Sequence, residues 1–471
     1  MKKYFPAVSI LLLSVQLLTA QLPKPTRQQV QWHDMEFYLF THFGPNTFTD
    51  KEWGEGTEKE EVFNPTNLDC MQWCRVAKAA GATGIIITAK HHDGFCLWPS
   101  KFSTHTVRES KWKNGRGDVL KELSAACKAM GLKFGVYISP WDRNHPDYGT
   151  EKYNDVFVNM MTEIFKQYGP IWELWWDGAN GEGPNGKKQV YDWGRFKKTV
   201  NKLSPNTVIF SDVGPHIRWV GNERGIAGET NWNTLDTIGF SAGLGAPHTD
   251  TLNKGNVNGK TWIPAECDVS IRPGWFYHKE EDGKVKSPEQ LFDLYLKSVG
   301  RGATLLLNVP PDRRGLIHEN DSVALMGFKK LRVHNFRHNL SVNAIATLVN
   351  GNAVKSKGLI NDNNPNTFVE LKNVQKEFIH LQFKKPVNVN CLVLTEYIKD
   401  GQSVQQLYVE VRSNGKAENF THTTIGHKRI ITFPARKADD IFIHFTASKR
   451  EVKIAEVEAY LIDENLIENK Q

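Results

Sequence analysis

The chain has 471 residues, of which 40% are hydrophobic and 24% are charged, a balance typical of a globular protein. This length exceeds the size at which one hydrophobic core usually stops growing, so we expect two domains after any leader. The formal net charge of +7 is small for so large a surface, and no long basic tract carries it. Nucleic acid is therefore a poor candidate partner.

The first residues have the pattern of a signal peptide. Lys2 and Lys3 precede the apolar run AVSILLLSVQLL, and the small residue Ala20 offers a cleavage point before Gln21. A membrane anchor is the alternative, but the run is short for a span and lacks a basic stop-transfer flank. The first cysteine is Cys70, so no lipoprotein cysteine lies near the cut. We expect a signal peptide over residues 1–20, a periplasmic or secreted protein, and no membrane span in the mature chain.

The six cysteines are too few for a disulfide scaffold in a chain of this length. Cys70 and Cys74 lie four residues apart in a predicted helix, which favours buried thiols over a bridge. No Cys-x-x-Cys pair indicates a zinc site.

Strand-like and helix-like segments alternate from residue 35 to about 335, which predicts βαβ units and a parallel sheet. Eight strands would close a (β/α)8-like barrel over residues 21–340. We predict them at residues 37–43, 84–91, 133–139, 172–177, 207–212, near 227–232, 262–268 and 304–310. Helices are predicted at residues 68–81, 118–131, 153–169 and 287–302. The last has Ser287 as N-cap, Gln290 completing a capping box, and Gly300 as the expected stop.

The periodicity changes after about residue 340. The runs FIHLQF, LYVEVR and IFIHF alternate apolar with other residues, and NDNNPNT and KDGQS are turn-like. We therefore predict a second, all-β domain over residues 341–471, with a sandwich architecture.

Polar and aromatic residues gather at the predicted carboxyl ends of the barrel strands, where a barrel of this kind carries its active site. In chain order these ends present His42, the pair His91 and His92, Tyr137 and Asp177. Because side chains alternate along a strand, one of the adjacent histidines must lie on a bulge or on the following loop. A zinc or iron site built on His91, His92 and Asp93 is an alternative, although no further ligands have metal-like spacing.

This combination suits sugar recognition. Neutral histidine and tyrosine bind hydroxyl groups without adding full charge, and tryptophan offers a flat apolar surface to a pyranose ring. Several of the 14 tryptophans are at predicted loop positions. Hydrolysis of a glycosidic bond generally uses two carboxyl groups. Asp177 suits the nucleophile, and Glu223, Glu229 and Glu266 are the candidate acids.

Four segments, FTHFGPNTFTDKEWG, ITAKHHDGFCLWPSKFS, FGVYISPWDR and ELWWDGANG, resemble the retaining α-L-fucosidases of glycoside hydrolase family twenty-nine in consistent order across residues 30 to 335. The resemblance implies a (β/α)8-like barrel, Asp177 as the nucleophile that forms a covalent glycosyl-enzyme, and Trp176 beside the sugar. It further implies a fucose pocket formed by His42, Glu52, Trp53, His91, His92 and Tyr137.

The segment RWVGNERG resembles the branch of this family that acts on α-1,3- and α-1,4-linked fucose in branched, Lewis-type glycans. In that branch the glutamate of this loop is the acid/base, which implies Glu223, with Glu266 as the runner-up. Arg272 and Trp275 are expected to line the site. The alternatives are a broad-specificity fucosidase that includes α-1,2 linkages and a non-catalytic fucose-binding lectin.

The implied partner is a fucosylated oligosaccharide or glycoconjugate, and neither a cofactor nor a metal is implied. The sequence does not predict the oligomeric state. The second domain resembles galactose-binding-like β-sandwich modules, some of which bind carbohydrate. A purely structural domain packed against the barrel is the alternative.

Overall fold

The computed structural model describes residues 22–242, 245–351 and 353–467. The signal peptide predicted at residues 1–20 lies outside these ranges. Within them, no helix combines the length and apolar character that a membrane crossing needs.

The first domain contains ten strands and nine α-helices in the described residues. The strands are β1 (Phe37–Thr41), β2 (Gly84–Lys90), β3 (Lys133–Ile138), β4 (Glu173–Trp175), β5 (Val208–Ser211), β6 (Ile217–Trp219), β7 (Thr234–Leu235), β8 (Thr261–Trp262), β9 (Ala265–Ser270) and β10 (Thr304–Asn308). The helices are α1 (Arg27–His33), α2 (Pro45–Thr49), α3 (Cys70–Ala80), α4 (Val119–Met130), α5 (Glu151–Gln167), α6 (Trp193–Leu203), α7 (Thr249–Lys254), α8 (Pro288–Lys297) and α9 (Glu319–Asn335).

Eight of these strands close into a parallel barrel in the order β1-β10-β9-β6-β5-β4-β3-β2. β7 and β8 form a separate antiparallel pair. The barrel strands are short and almost wholly buried because side chains fill the interior on one face and helices cover the other. The predicted barrel is confirmed.

The sixth barrel strand is not where the sequence indicated. Residues 227–232 form no strand, and the sixth position is taken by the three-residue β6. β6 follows β5 after only five residues, with no helix between them. A strand this short without a preceding helix has no periodicity to reveal it.

Side-chain caps fix several helix starts. Thr26 and Ser287 each form a capping box with the glutamine three residues later, as predicted for Ser287 and Gln290. α8 ends at Lys297, three residues before the expected stop at Gly300, with Ser298 as its C-cap. All six cysteines are buried and free, which confirms the prediction for Cys70 and Cys74.

The second domain is an antiparallel sheet of eight strands. They are β11 (Ala344–Asn350), β12 (Ala353–Lys357), β13 (Val369–Leu371), β14 (Glu377–Glu396), β15 (Val404–Ser413), β16 (Lys416–His422), β17 (Arg429–Ser448) and β18 (Val452–Tyr460). Two strands of 20 residues, β14 and β17, pair along their length, and two register shifts divide the pairing into three segments. Alternate residues of these strands face one apolar core.

The two domains share packed surfaces. Tyr460 of the second domain contacts Phe336 edge-on, with ring centroids 5.2 Å apart, and Cys391 and Val393 belong to the same apolar cluster as the barrel helices. Lys428 pairs with Glu36, the residue just before β1. The second domain is thus braced against the outer side of the barrel.

Candidate active site

A cavity of about 180 Å³ opens at the carboxyl ends of the barrel strands. Its lining comes from loops after β1, β2, β4, β6 and β9 and from the last residues of the strands themselves. The lining residues are Phe40, His42, Glu52, Trp53, His91, His92, Tyr137, Trp175, Asp177, Ala179, Glu223, Asp268 and Trp275.

Asp177 lies two residues beyond β4, and both of its carboxylate oxygens are engaged. The hydroxyl of Tyr137 donates to Oδ2 at 2.9 Å, and the backbone N–H of Ala179 donates to Oδ1 at 2.8 Å. The side chain is 25% exposed and faces Nε2 of His92 at 3.7 Å. These contacts fix the carboxylate while one side stays open to the cavity.

His42 is held in one tautomer by Asn308, the last residue of β10. Oδ1 of Asn308 accepts hydrogen bonds from the backbone N–H of His42 at 3.2 Å and from Nδ1 at 2.9 Å. The Asn308 amide is oriented by its own donation to Ser270 Oγ and the Trp275 carbonyl. Burial lowers the pKa of His42 to about 4. At neutral pH its Nε2 is therefore available as a hydrogen-bond acceptor.

His92 is also held in one tautomer, by Ser139. The hydroxyl of Ser139 donates to the carbonyl of Trp141, so its oxygen accepts the Nδ1–H of His92 at 2.8 Å. Burial lowers the pKa of His92 to about 4, against the opposing effect of the Asp177 charge. Nε2 of the neutral ring is left as an acceptor toward the cavity.

His91 lies beside His92, with ring centroids 4.1 Å apart. Both rings reach the cavity because β2 ends at Lys90 with a register shift after Thr88, so both histidines lie on the following loop. This confirms the expectation that the pair breaks strand alternation. Burial lowers the pKa of His91 well below its usual value, and its Nδ1 has no hydrogen-bond partner among the described residues.

Three tryptophans line the cavity. Trp53 is 55% exposed and packs edge-on against Trp141 at 5.5 Å, which extends an aromatic surface from the cavity to solvent. Trp275 stands over His42, with ring centroids 5.1 Å apart. Trp175 forms the inner wall, stacked on Phe210 at 4.0 Å.

Besides Asp177 and Glu52, two carboxyl groups line the cavity, Glu223 from the loop after β6 and Asp268 from β9. Glu223, four residues after β6, is exposed, and its Oε2 accepts from Nε1 of Trp275 at 3.3 Å. Asp268, on the inner face of β9, is buried and accepts from Nε1 of Trp219 at 2.9 Å. Burial, and then the charges of Glu266 and Glu223, raise the pKa of Asp268 well above its usual value. The sequence reasoning did not single out Asp268, although its place at a strand end was a signal.

Glu266 lies outside the cavity lining. It precedes Asp268 by two residues on the same inner face, one layer deeper. Its carboxyl accepts hydrogen bonds from the hydroxyl of Tyr38 and from Nε1 of Trp175 at 2.8 Å, beside the equally buried Glu173. Burial raises the pKa of Glu266 to about 7. With both oxygens occupied in the barrel interior, the runner-up acid/base does not face the site.

Trp176 and Arg272, expected at the sugar, lie elsewhere. Trp175 points inward with Glu173, so Trp176 points outward and packs on Trp193 at 5.3 Å. Arg272 is fully buried and bound to Asp321 of α9 at 3.0 Å and to Asp282 at 2.9 Å. Glu229 also lies outside the cavity, with its carboxylate 3.6 Å from Arg301.

The metal alternative has no support in the part of the chain that the structure describes, where no group of three or more His, Cys, Asp or Glu side chains could hold an ion. Asp93 does not join His91 and His92 at the cavity. Its carboxyl packs under Gly54, and its Oδ1 accepts from the backbone N–H of Phe95.

A family model described as alpha-L-fucosidase matches residues 22–330. Alpha-L-fucosidase 1 of Arabidopsis thaliana is 41% identical over 424 residues, which cover 88% of this chain and 82% of the relative. The chain belongs to the alpha-L-fucosidase family. It is a glycoside hydrolase that releases fucose from a fucosylated glycan.

Solved structures agree with this assignment. A glycoside hydrolase 29 family member from an unknown rumen bacterium has a TM-score of 0.83 and 41% identity, covering 94% of this chain and 78% of that one. A glycoside hydrolase 29 fucosidase from Ruminococcus gnavus in complex with fucose has a TM-score of 0.84 and 30% identity, covering 94% and 96%. The fold and the family thus fit a fucosidase barrel with an appended antiparallel domain.

Proposed function

We propose that this alpha-L-fucosidase is exo-acting, cleaves α-1,3- and α-1,4-linked fucose from branched glycans, and retains the anomeric configuration. The observation that carries the proposal is the approach of Asp177 and Glu223 to one small cavity from two different loops. Drug-sized ligands occupy pockets of roughly 300–1,000 Å³, so a cavity of about 180 Å³ suits a single terminal sugar ring.

In the first step, Asp177 attacks the anomeric carbon of fucose. The bond from that carbon to the glycosidic oxygen breaks, and Glu223 gives its proton to the departing oxygen. The product is an ester between fucose and Asp177. In the second step Glu223, now a carboxylate, takes a proton from water, and the water oxygen displaces Asp177 from the anomeric carbon. Two inversions leave the configuration unchanged.

The neutral histidines explain selectivity for a neutral sugar. His42 and His92 each present an acceptor nitrogen on a ring that a hydrogen bond holds in place. Nδ1 of His91 has no hydrogen-bond partner among the described residues. A site that uses its buried polar groups to bind hydroxyls disfavours a sugar lacking them, because those groups would stay unpaired.

Glu223 is favoured over Asp268 and Glu266 as the acid/base by its position. It is exposed at the cavity mouth, where a leaving group would depart, whereas Asp268 and Glu266 are buried. The half-exposed ring of Trp53 supplies a surface on which the next sugar of a branched glycan can stack. This supports the branched-glycan preference that the RWVGNERG segment implies.

The test compares Asp177→Ala, Glu223→Ala and Asp268→Asn with Glu229→Gln as the matched control. We expect Glu223→Ala to lower kcat/KM on a Lewis-type trisaccharide by about 10²- to 10⁴-fold. Azide should restore turnover of an aryl fucoside in both alanine variants, giving an inverted fucosyl azide with Asp177→Ala and a retained one with Glu223→Ala. An Asp268→Asn variant that alone shows the retained azide product would move the acid/base role to Asp268.

Linkage is tested on purified wild-type enzyme with a Lewis-type trisaccharide and an α-1,2-fucosylated trisaccharide. The proposal predicts a higher kcat/KM on the Lewis-type sugar. Equal rates would favour a broad-specificity enzyme, the main alternative.

We also propose export through the leader at residues 1–20. The charged start, the apolar run and Ala20 support it. N-terminal sequencing of the protein recovered from its native compartment should give Gln21 or a close neighbour as the first residue, and an intact Met1 would contradict export by cleavage.

A further inference from the structure

An ion cluster links the loop after β1 to the loop after β9, and its member Glu52 also lines the cavity. The ring of His278 lies between two carboxylates, with Nδ1 2.7 Å from Asp50 Oδ1 and Nε2 2.6 Å from Glu52 Oε1. Carboxylates at both ring nitrogens require both nitrogens to donate, which only the protonated imidazolium can do. Nearby, Arg313 lies 3.8 Å from Asp50, and Arg272 donates to the His278 carbonyl at 3.5 Å.

Glu52 connects His278 to the backbone of the loop that carries Trp275. Its Oε2 accepts from the backbone N–H of Trp275 at 2.8 Å, and its Oε1 accepts from that of Phe276 at 3.1 Å. Gly274 allows the approach, since a Cβ there would lie 2.6 Å from Glu52 Oε1. One carboxylate thus holds both the backbone that carries Trp275 and the ring of His278.

Trp275 in turn contacts the proposed acid. Its Nε1 donates to Oε2 of Glu223, which leaves Oε1 of that exposed side chain for the glycosidic oxygen. Fixed orientation of a general acid is worth a substantial part of its effect, because proton transfer needs a short, aligned approach.

We propose that His278 is a positioning residue for the acid/base step: its protonated ring ties Asp50 to Glu52, and Glu52 fixes the loop that aims Trp275 at Glu223. The proposal rests on the acid/base role proposed for Glu223. His278 touches no reacting atom, and its effect on catalysis passes through Trp275.

The leaving group separates positioning from general damage. The dinitrophenolate of a dinitrophenyl fucoside departs without protonation, whereas the leaving sugar of a Lewis-type trisaccharide needs a proton from the acid. We expect His278→Ala to lower kcat/KM by about tenfold or more on the trisaccharide and by less than about threefold on the aryl fucoside. His278→Gln, which keeps one donor toward Glu52, should recover part of the loss.

His380 offers a matched control, because it also binds a carboxylate, Asp440, at 2.7 Å, but in the second domain. His380→Gln should leave both rates unchanged. Equal losses on the two substrates in His278→Ala, or no loss on either, would overturn the proposal.

A double-mutant cycle distinguishes this proposal from the one it rests on. In a Glu223→Gln background, His278→Ala should add no further loss on the trisaccharide. If Glu223→Gln alone leaves the trisaccharide rate intact, the acid/base assignment fails. If Glu223→Gln abolishes the rate but His278→Ala does not lower it, only the positioning role fails.

Trp275→Phe replaces the indole with a smaller aromatic ring that cannot donate to Glu223, so it tests the last contact even if His278→Ala does not fold. It should show the same leaving-group dependence as His278→Ala. Equal losses of kcat/KM on both substrates would contradict the proposal that Trp275 orients Glu223.

Discussion

The hydroxyl of Tyr137 donates a 2.9 Å hydrogen bond to Oδ2 of Asp177, from the neighbouring strand of the barrel. The contact joins a residue within β3 to the proposed nucleophile just past β4. Tyr137 therefore helps to hold the carboxylate of Asp177 in place. Both residues lie at strand ends on the same face of the barrel.

Tyr137→Phe removes this donor while keeping the ring. A hydrogen bond to a charged group contributes roughly 1.5–3 kcal/mol, so kcat/KM on a fucoside should fall about 10- to 100-fold. Tyr168→Phe is the control, because Tyr168 donates at 3.0 Å to Asp118, a helix-capping carboxylate remote from the cavity. Equal activity of the two variants would argue against a role for Tyr137.

Gly178→Ala should disable the site by displacing Asp177. A Cβ at this position would lie 1.8 Å from Oδ2 of Asp212, so the backbone beside Asp177 must shift. A displacement near 1 Å can cost on the order of 10²-fold in rate. Gly283→Ala, where a Cβ meets nothing within 4 Å, should be silent. Steady-state kinetics beside a melting curve would show whether activity falls further than stability.

The adjacent tryptophans Trp175 and Trp176 should give opposite phenotypes. Trp176→Phe should leave kcat and KM near wild type, since the residue packs away from the cavity and its Nε1 has no partner among the described residues. It should cost about 1–2 kcal/mol of stability through lost packing. Trp175→Phe removes a cavity wall and a donor to Glu266, so it should raise KM. A raised KM in Trp176→Phe would contradict the observed orientation.

Glu266 should make folding stability depend on pH. Its folded pKa of about 7 exceeds the ordinary value of 4.5, so the protonated form is favoured in the folded protein. Its stabilising contribution is therefore fully present below about pH 4.5 and is lost as pH rises through about 7.

Glu266→Gln removes this titration, and it also removes the charge that raises the pKa values of Glu173 and Asp268. Chemical unfolding at pH 4.5, 6 and 8 should show that the free energy of unfolding of the variant increases relative to that of wild type as pH rises. Parallel curves would mean that Glu266 titrates normally in the folded state.

The barrel and most of the cavity could be predicted from the sequence because both follow local rules. Strands alternate with helices, and catalytic groups lie just past the strand ends, which locates His42, His91, His92 and Asp177. The antiparallel domain was predictable from period-two alternation for the same reason.

The remainder depended on long-range contacts or on very short elements. β6 spans three residues and follows no helix, so no window of periodicity covers it. Arg272 has ion-pair partners in Asp282 and in Asp321, 49 residues away, which draw it from the site into a buried ion pair. Strand phase alone could have placed Trp175 inside and Trp176 outside, since Glu173 and Trp175 share a face.

The most direct test of the double displacement by Asp177 and Glu223 is the anomer of fucose that appears first. Proton NMR of an early reaction with an α-fucoside should show α-fucose forming before mutarotation produces the β anomer. Initial release of β-fucose would mean a single displacement by water and would contradict a covalent intermediate on Asp177.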